Sequence, residues 1–134
     1  MDYVLVDSSA WIDFFKFPQS IYAQVLDQLL DSNQVCICGL VLAEIVPSVR
    51  TEQQVEDLKS YFYALKILPD PVDLWNKIIK LQFLLKKRGV NGMSIPDLII
   101  ALTAHESDVR ILTKDRDFLQ IQKVISINIY TPQK

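Results

Sequence analysis

The chain reads as an α/β fold, with a central parallel five-stranded sheet and helices on both faces. Three observations lead there. Short β-branched runs alternate with segments of helical periodicity from one end to the other. Half of the 134 residues are hydrophobic, enough to bury one sizeable core without disulfides or a structural metal. Only 3 glycines, no Pro/Ser-rich linker and no self-similar period leave no boundary, so residues 1–134 are expected to form a single domain.

Tyr3 to Val6 is the first strand, and Asp7-Ser8-Ser9 opens a helix through Phe15 that Pro18 ends. Residues 20–31 set Ile21, Val25, Leu26, Leu29 and Leu30 along one helical face. Val35 to Cys38 is a buried strand, after which Gly39 returns the chain to helix and Pro47 kinks or shortens it. Residues 51–64 form a charged helix, Leu65 to Leu68 a brief strand, and Val72 to about Lys87 a long amphipathic helix ending at Gly89. Ser94 caps a helix through about Glu106. Val109 to Leu112 is strand, 115–120 a short helix, and Val124 to Ile129 the last strand.

Charge and cysteine usage narrow the function classes. With 14 basic against 16 acidic side chains and a formal charge of -2, no large basic surface exists, so any nucleic-acid contact is local or carried by a cation. Cys36 and Cys38 alternate to opposite faces of a strand and read as core residues of a reducing compartment. No run approaches 18 apolar residues and no signal-peptide pattern opens the chain; a cytoplasmic protein, away from the membrane, is expected. No Gly-rich phosphate loop, dinucleotide fingerprint or Gly-x-Ser-x-Gly occurs, and the single histidine, His105, has neither zinc-ligand company nor a nucleophile partner.

In an open parallel sheet, the loops just after the strands hold the site. Asp7 follows the first strand directly, Asp115 follows the Val109 to Leu112 strand by three residues, and Asp97 lies in the first turn of the helix feeding that strand. Each has a plain alternative as a helix cap: Asp7 at its own helix, Asp97 in a Ser94–Asp97 capping box, Asp115 before a surface helix. Glu44 is the only charged residue from Val35 to Val49, with exposure on one helix face as its alternative. Converging acids repel without a counter-charge, and oxygen-only ligands select hard cations such as Mg²⁺ or Mn²⁺. A receiver domain is a poor match, since Asp7 stands without an adjacent acid and the last strand offers no Lys; a haloacid-dehalogenase phosphatase needs an acid where Ser9 stands.

Four segments resemble the PIN-domain family, and within it the VapC toxins of toxin-antitoxin pairs. They are Val6-Asp7-Ser8-Ser9-Ala10-Trp11-Ile12, Leu42-Ala43-Glu44-Ile45, Ile95-Pro96-Asp97-Leu98-Ile99-Ile100-Ala101 and Leu112-Thr113-Lys114-Asp115-Arg116-Asp117-Phe118. Their order and spacing span nearly the whole chain. The resemblance implies a PIN-like domain and a Mg²⁺- or Mn²⁺-dependent endoribonuclease, with tRNA or ribosomal RNA among the family's substrates. It implies that Asp7, Glu44, Asp97 and Asp115 are the acidic metal-binding and catalytic positions, Asp115 also orienting the attacking water. Ser9 and Asp117 are accessory. The implied partners are RNA, a cognate antitoxin and a second copy of the chain as a homodimer. The alternative is a non-catalytic α/β RNA- or protein-binding module whose acids are solvated caps.

Two further groups of residues are expected to serve these partners. Lys114 and Arg116 flank Asp115 and are candidates for RNA phosphate contacts, with Lys16 in reserve, whereas Lys86-Lys87-Arg88 suits a solvated helix C-terminus. Trp11, Phe14, Phe15 and Phe17 exceed what one helix face hides, so an antitoxin-binding groove is expected there, with a core face as the alternative.

Overall fold

A computed structural model describes residues 2–132. Strands β1 (Val4–Val6), β2 (Val35–Cys38), β3 (Lys66–Leu68), β4 (Arg110–Leu112) and β5 (Asn128–Ile129) pair in the order β3-β2-β1-β4-β5, and every pair is parallel. Every residue of β1 and β2 is buried, as expected of strands covered on both faces, while edge strand β3 exposes Lys66 and Ile67.

The helices are α1 (Ser8–Lys16), α2 (Ile21–Asp31), α3 (Gly39–Ile45), α4 (Glu52–Tyr63), α5 (Leu74–Lys87), α6 (Ile95–Ser107) and α7 (Asp117–Ile121). The chain steps outward from β1 through β2 to β3, then α5 and α6 carry it back across to β4 on the other side of β1. Right-handed crossovers running in opposite directions put α1–α4 and α5–α7 on opposite faces. The reversal falls between β1 and β4, the position at which open α/β sheets leave a crevice at their carboxyl edge.

Register sets what meets in that crevice. Val6 pairs with Leu112, and the Asp7 N–H donates to the Leu112 carbonyl at 2.9 Å, so Asp7 and Thr113 leave the sheet side by side. Beneath them, Leu5, Ile37 and Ile111 are fully buried in one hydrophobic core with Leu26, Phe62, Leu85, Leu98 and Phe118.

Local chemistry explains where the elements begin and end. Ser20 accepts from the Ala23 N–H at 3.0 Å to cap α2, and Thr51 with Gln54 forms a complete capping box on α4. Pro47 converts the end of α3 into a 3₁₀ turn, Val46–Ser48. Helix α5 starts at Leu74 because Asp73 is left-handed, φ 56°, which leaves Val72 outside the helix.

The last strand and the short helix before it also differ from the sequence reading. The last strand shrinks to Asn128–Ile129, since the Val124 and Ile125 N–H groups bond back to the Ile121 carbonyl at 3.0 and 3.1 Å and prolong the α7 turn. Helix α7 starts at Asp117 rather than at residue 115, because the Asp115 carboxylate accepts the Asp117 N–H at 2.9 Å. Among the described residues no helix is long and apolar enough to cross a membrane.

Candidate active site

Asp7 occupies the N-cap position of α1, yet its side chain makes no capping bond. The carboxylate is turned toward β4 instead. Its Oδ2 accepts from the Ser9 hydroxyl and from the Thr113 hydroxyl, each at 2.8 Å, while Oδ1 receives only a long 3.4 Å contact from Ser8 Oγ. Both hydroxyls are fixed from behind: Ser9 Oγ accepts the Lys114 N–H at 2.9 Å and Thr113 Oγ1 accepts the Asp115 N–H at 3.0 Å. Asp7 is 4% exposed. A buried carboxylate held by two hydroxyls through one oxygen keeps the other oriented for a further ligand.

Thr113 is absent from the sequence-derived set. Its hydroxyl is two residues before Asp115, and the cue was its place at the end of β4. Its role becomes visible only through the β1–β4 register, which spans 106 residues.

Asp97, Asp115 and Asp117 bring a carboxylate oxygen each within 4.8 Å of one another. Asp117, expected only as an accessory, thus belongs to the tightest group. Capping of α6 falls to Ser94, whose hydroxyl accepts the Asp97 N–H at 3.2 Å. The Asp97 carboxyl is pushed up to about 7, first by burial and then by the charge of Asp115, with Asp7 adding a smaller push and Ser94 pulling the other way. Glu44 lies on α3, which touches α6, but stands outside the three-carboxylate group and is solvent-exposed at residue level. Partial burial, and secondarily Asp7, still raise its carboxyl, while Ser8 lowers it.

Among the described residues the ion pairs are Lys59 with Glu56, Lys77 with Glu106 and Lys114 with Asp13, so no basic side chain neutralises this pocket. A donor set made wholly of carboxylate and hydroxyl oxygens, lacking a protein counter-charge and raising its own acids, fits a hard divalent cation. Cysteine cannot contribute, because Cys36 and Cys38 are buried in β2 as free thiols.

The flanking residues divide. Lys114 Nζ is 2.9 Å from Asp13 Oδ1, whereas Arg116 is exposed and forms none of those ion pairs. Trp11 is corrected as an antitoxin contact: it is fully buried, packed among Phe14, Phe15, Tyr61 and Phe62 with centroids 4.9 to 6.4 Å away, so it offers no surface. Phe14 and Phe15 line an open groove of about 550 Å³ between α1 and α4 with Val49, Leu58 and Tyr61. Phe17 is 58% exposed but does not line it. His105 is exposed at the end of α6 with Nδ1 on the Ser126 carbonyl at 2.6 Å, remote from the acids in its bonding.

The model of the PIN domain family matches residues 4–124. The chain belongs to the PIN domain family. Among curated PIN-type relatives, the protein named Ribonuclease VapC11, from Mycobacterium tuberculosis, is 26% identical over 129 residues, covering 92% of this chain and 95% of the relative. Ribonuclease VapC21 of the same species is 28% identical over 101 residues, 74% of this chain and 73% of the relative. Solved structures agree on the fold. The VapBC-1 structure from nontypeable Haemophilus influenzae superimposes with a TM-score of 0.75 at 20% identity, covering 98% of this PIN domain chain and 99% of that one. The VapBC2 structure from Rickettsia felis, bound to a promoter DNA fragment, gives 0.72 at 19% identity, covering 98% and 99%.

Proposed function

We propose that this PIN domain protein is a divalent-cation-dependent endoribonuclease, the toxin of a VapBC-type pair, with residues 1–134 acting as one nuclease domain. The observation that carries the reading is the cluster of Asp97, Asp115 and Asp117 at the crevice between β1 and β4, within electrostatic reach of Asp7 and with no ion pair to a basic side chain among the described residues. The ribonuclease names of relatives that match 92% and 74% of the chain support the substrate class.

Asp7, Asp97 and Asp115 would hold Mg²⁺ or Mn²⁺, with Glu44 and Asp117 as direct or water-mediated ligands. The cation supplies Lewis-acid stabilisation of charge on a phosphodiester and a means of activating water. The chain's own part is positional. Ser9 and Thr113 hold Asp7 by one oxygen and leave the other aimed outward; the Asp117 N–H fixes Asp115; Ser94 frees Asp97 from capping duty. Arg116 is free of those ion pairs and available to meet an RNA phosphate, and Lys114, 44% exposed, has ammonium donors left over beside its bond to Asp13.

The antitoxin docks in the groove of Phe14, Phe15, Leu58 and Tyr61, whose apolar floor suits the hydrophobic face of a helix or an extended tail. The assembly this reading expects is a homodimer in the cytoplasm. Cleavage of total RNA with and without EDTA, for wild type and Asp7→Asn, is the test: loss in both cases is expected, and cleavage surviving both overturns the reading.

A further inference from the structure

Helices α1 and α3 both leave the sheet at its carboxyl edge, α1 after β1 and α3 after β2, and they pack side by side. Between them lies a cavity of about 350 Å³. It adjoins the acids, because Ser8 at the start of α1 lines it and holds its hydroxyl 3.4 Å from Asp7 Oδ1, while Glu44 stands on the α3 wall. From Ser8 it follows α1 past Ile12 to Phe15 and Lys16, with Ser48 contributed by the turn after α3.

The lining divides by what it can bind. Ile12 and Phe15 are 45% and 48% exposed, large apolar groups left open beside a polar site. Phe15 is nevertheless fixed: Trp11 stacks on it with centroids 5.9 Å apart and planes 21° apart, and Phe62 meets it edge-on at 6.4 Å. A ring held by a buried tryptophan is a ready platform for another planar group, at little further cost in rotamer freedom. Ser48 donates its hydroxyl to the Ile45 carbonyl at 2.6 Å, so its lone pairs are left as acceptors. Lys16, exposed in the last turn of α1, forms none of the ion pairs among the described residues and offers its ammonium donors.

This combination selects the occupant. Four of the seven lining residues are polar or charged, which suits an apolar helix face poorly, and the groove toward α4 already fits such a face. A nucleotide uses them all. Its base lies on Phe15 and Ile12, a base-edge donor meets Ser48, and a flanking phosphate meets Lys16. Size agrees, since small-ligand pockets begin at roughly 300 Å³ and this one has room for a single base with its sugar. Place agrees too: RNA bases are read where they are splayed out of the strand, and a phosphate at the acids leaves its neighbouring base at this opening.

We propose that the cavity between α1 and α3 takes the base of a nucleotide next to the scissile phosphate, stacked on Phe15 and Ile12. This rests on the nuclease reading above and adds to it a determinant of where RNA is cut. Cuts made by wild type in total RNA with Mn²⁺ are located by end sequencing, and the strongest is carried into a synthetic RNA, prepared intact and with an abasic ribose at each nucleotide flanking the cut in turn. One flanking position is expected to be sensitive, its missing base lowering kcat/KM about 5- to 100-fold, the usual worth of one stacked base. Phe15→Leu is expected to lose a similar factor on the intact RNA and little more on that abasic RNA, whereas Phe15→Tyr keeps the wild-type pattern. Ile12→Ala, at an exposed position the core does not need, is expected to show the same non-additivity to a smaller degree. Losses that simply add in both variants, or the absence of any sensitive flanking nucleotide, overturn the pocket and leave the nuclease standing. A wild type that cuts no RNA overturns both.

Discussion

Lys114 reaches across from the β4 loop to place its ammonium 2.9 Å from the Asp13 carboxylate on α1, a carboxylate whose side chain is only 6% exposed. The lysine itself is 44% exposed and sits 5.9 Å from the Tyr22 ring centroid. It is thus a strut between the first helix and the loop after β4, one residue from Asp115. Replacing Lys114 with Met strands Asp13 without its cation. The expected cost is about 1–3 kcal/mol, below that of a fully buried pair because one partner is wet. Urea denaturation measures it, and Asp13→Asn in the same chain is expected to return most of the loss.

Arg116 is expected to behave differently. Arg116→Glu leaves the urea midpoint unchanged but weakens RNA binding and flattens its dependence on salt, because one phosphate contact is lost. A binding isotherm at two salt concentrations reads this directly. Equal salt slopes for variant and wild type would remove Arg116 from the RNA path.

Thr113→Val keeps the shape of the side chain and deletes the hydroxyl shared by Asp7 Oδ2 and the Asp115 N–H. Groups that orient a metal ligand typically contribute 10- to 100-fold in metal affinity, so Mn²⁺ titration calorimetry should register a loss of that order. Thr113→Ser retains the hydroxyl and is expected to bind as wild type does.

Asp97 gives a pH signature without metal. Its folded-state value of about 7 lies above the usual 3.8, so the folded form binds the proton more tightly than the unfolded form. The stabilising contribution is complete below the unfolded value and is lost as pH rises through about 7. In EDTA, the melting temperature of wild type relative to Asp97→Asn is therefore expected to fall between about pH 4 and pH 7 and to level off above. An Asp97→Asn curve parallel to wild type across that range would count against the coupling.

Burial pushes the Cys36 thiol up to about 12, with Cys38 adding to the effect, and burial likewise raises Cys38. Both side chains lie within β2. Neither is expected to react with a disulfide reagent at pH 8 in the native state, and both are expected to react in denaturant. Native reactivity on the scale of minutes would mean that β2 opens far more often than its burial implies.

Much of this site was legible because its chemistry sits where local rules point: Asp7 at a strand end, Asp97 in a first turn, Asp115 before a short helix. Long-range register was not legible. Thr113 carries only its place at the end of β4 and Asp13 no local mark at all, since one acts through a strand pair and the other through a lysine 101 residues away. Trp11 shows a related effect. Helical spacing identifies an apolar residue without saying which direction the helix turns, and α4 encloses the ring with Tyr61 and Phe62. The exposure of Trp75, Ile79 and Phe83 on α5 is hidden similarly, because an amphipathic pattern reports that one side is apolar and stays silent when two are.

The adjacency of β1 and β4 also governs timing. The bonds that orient Asp7 come from residue 113, so during synthesis the first acid waits for almost the whole domain before its oxygen is held. Contacts of such sequence separation close late and slowly. A chain released early, or still threading the ribosome, carries Asp7 and Glu44 yet lacks Thr113, Asp115 and Asp117. The ribosome making the chain therefore meets it before its acids are assembled.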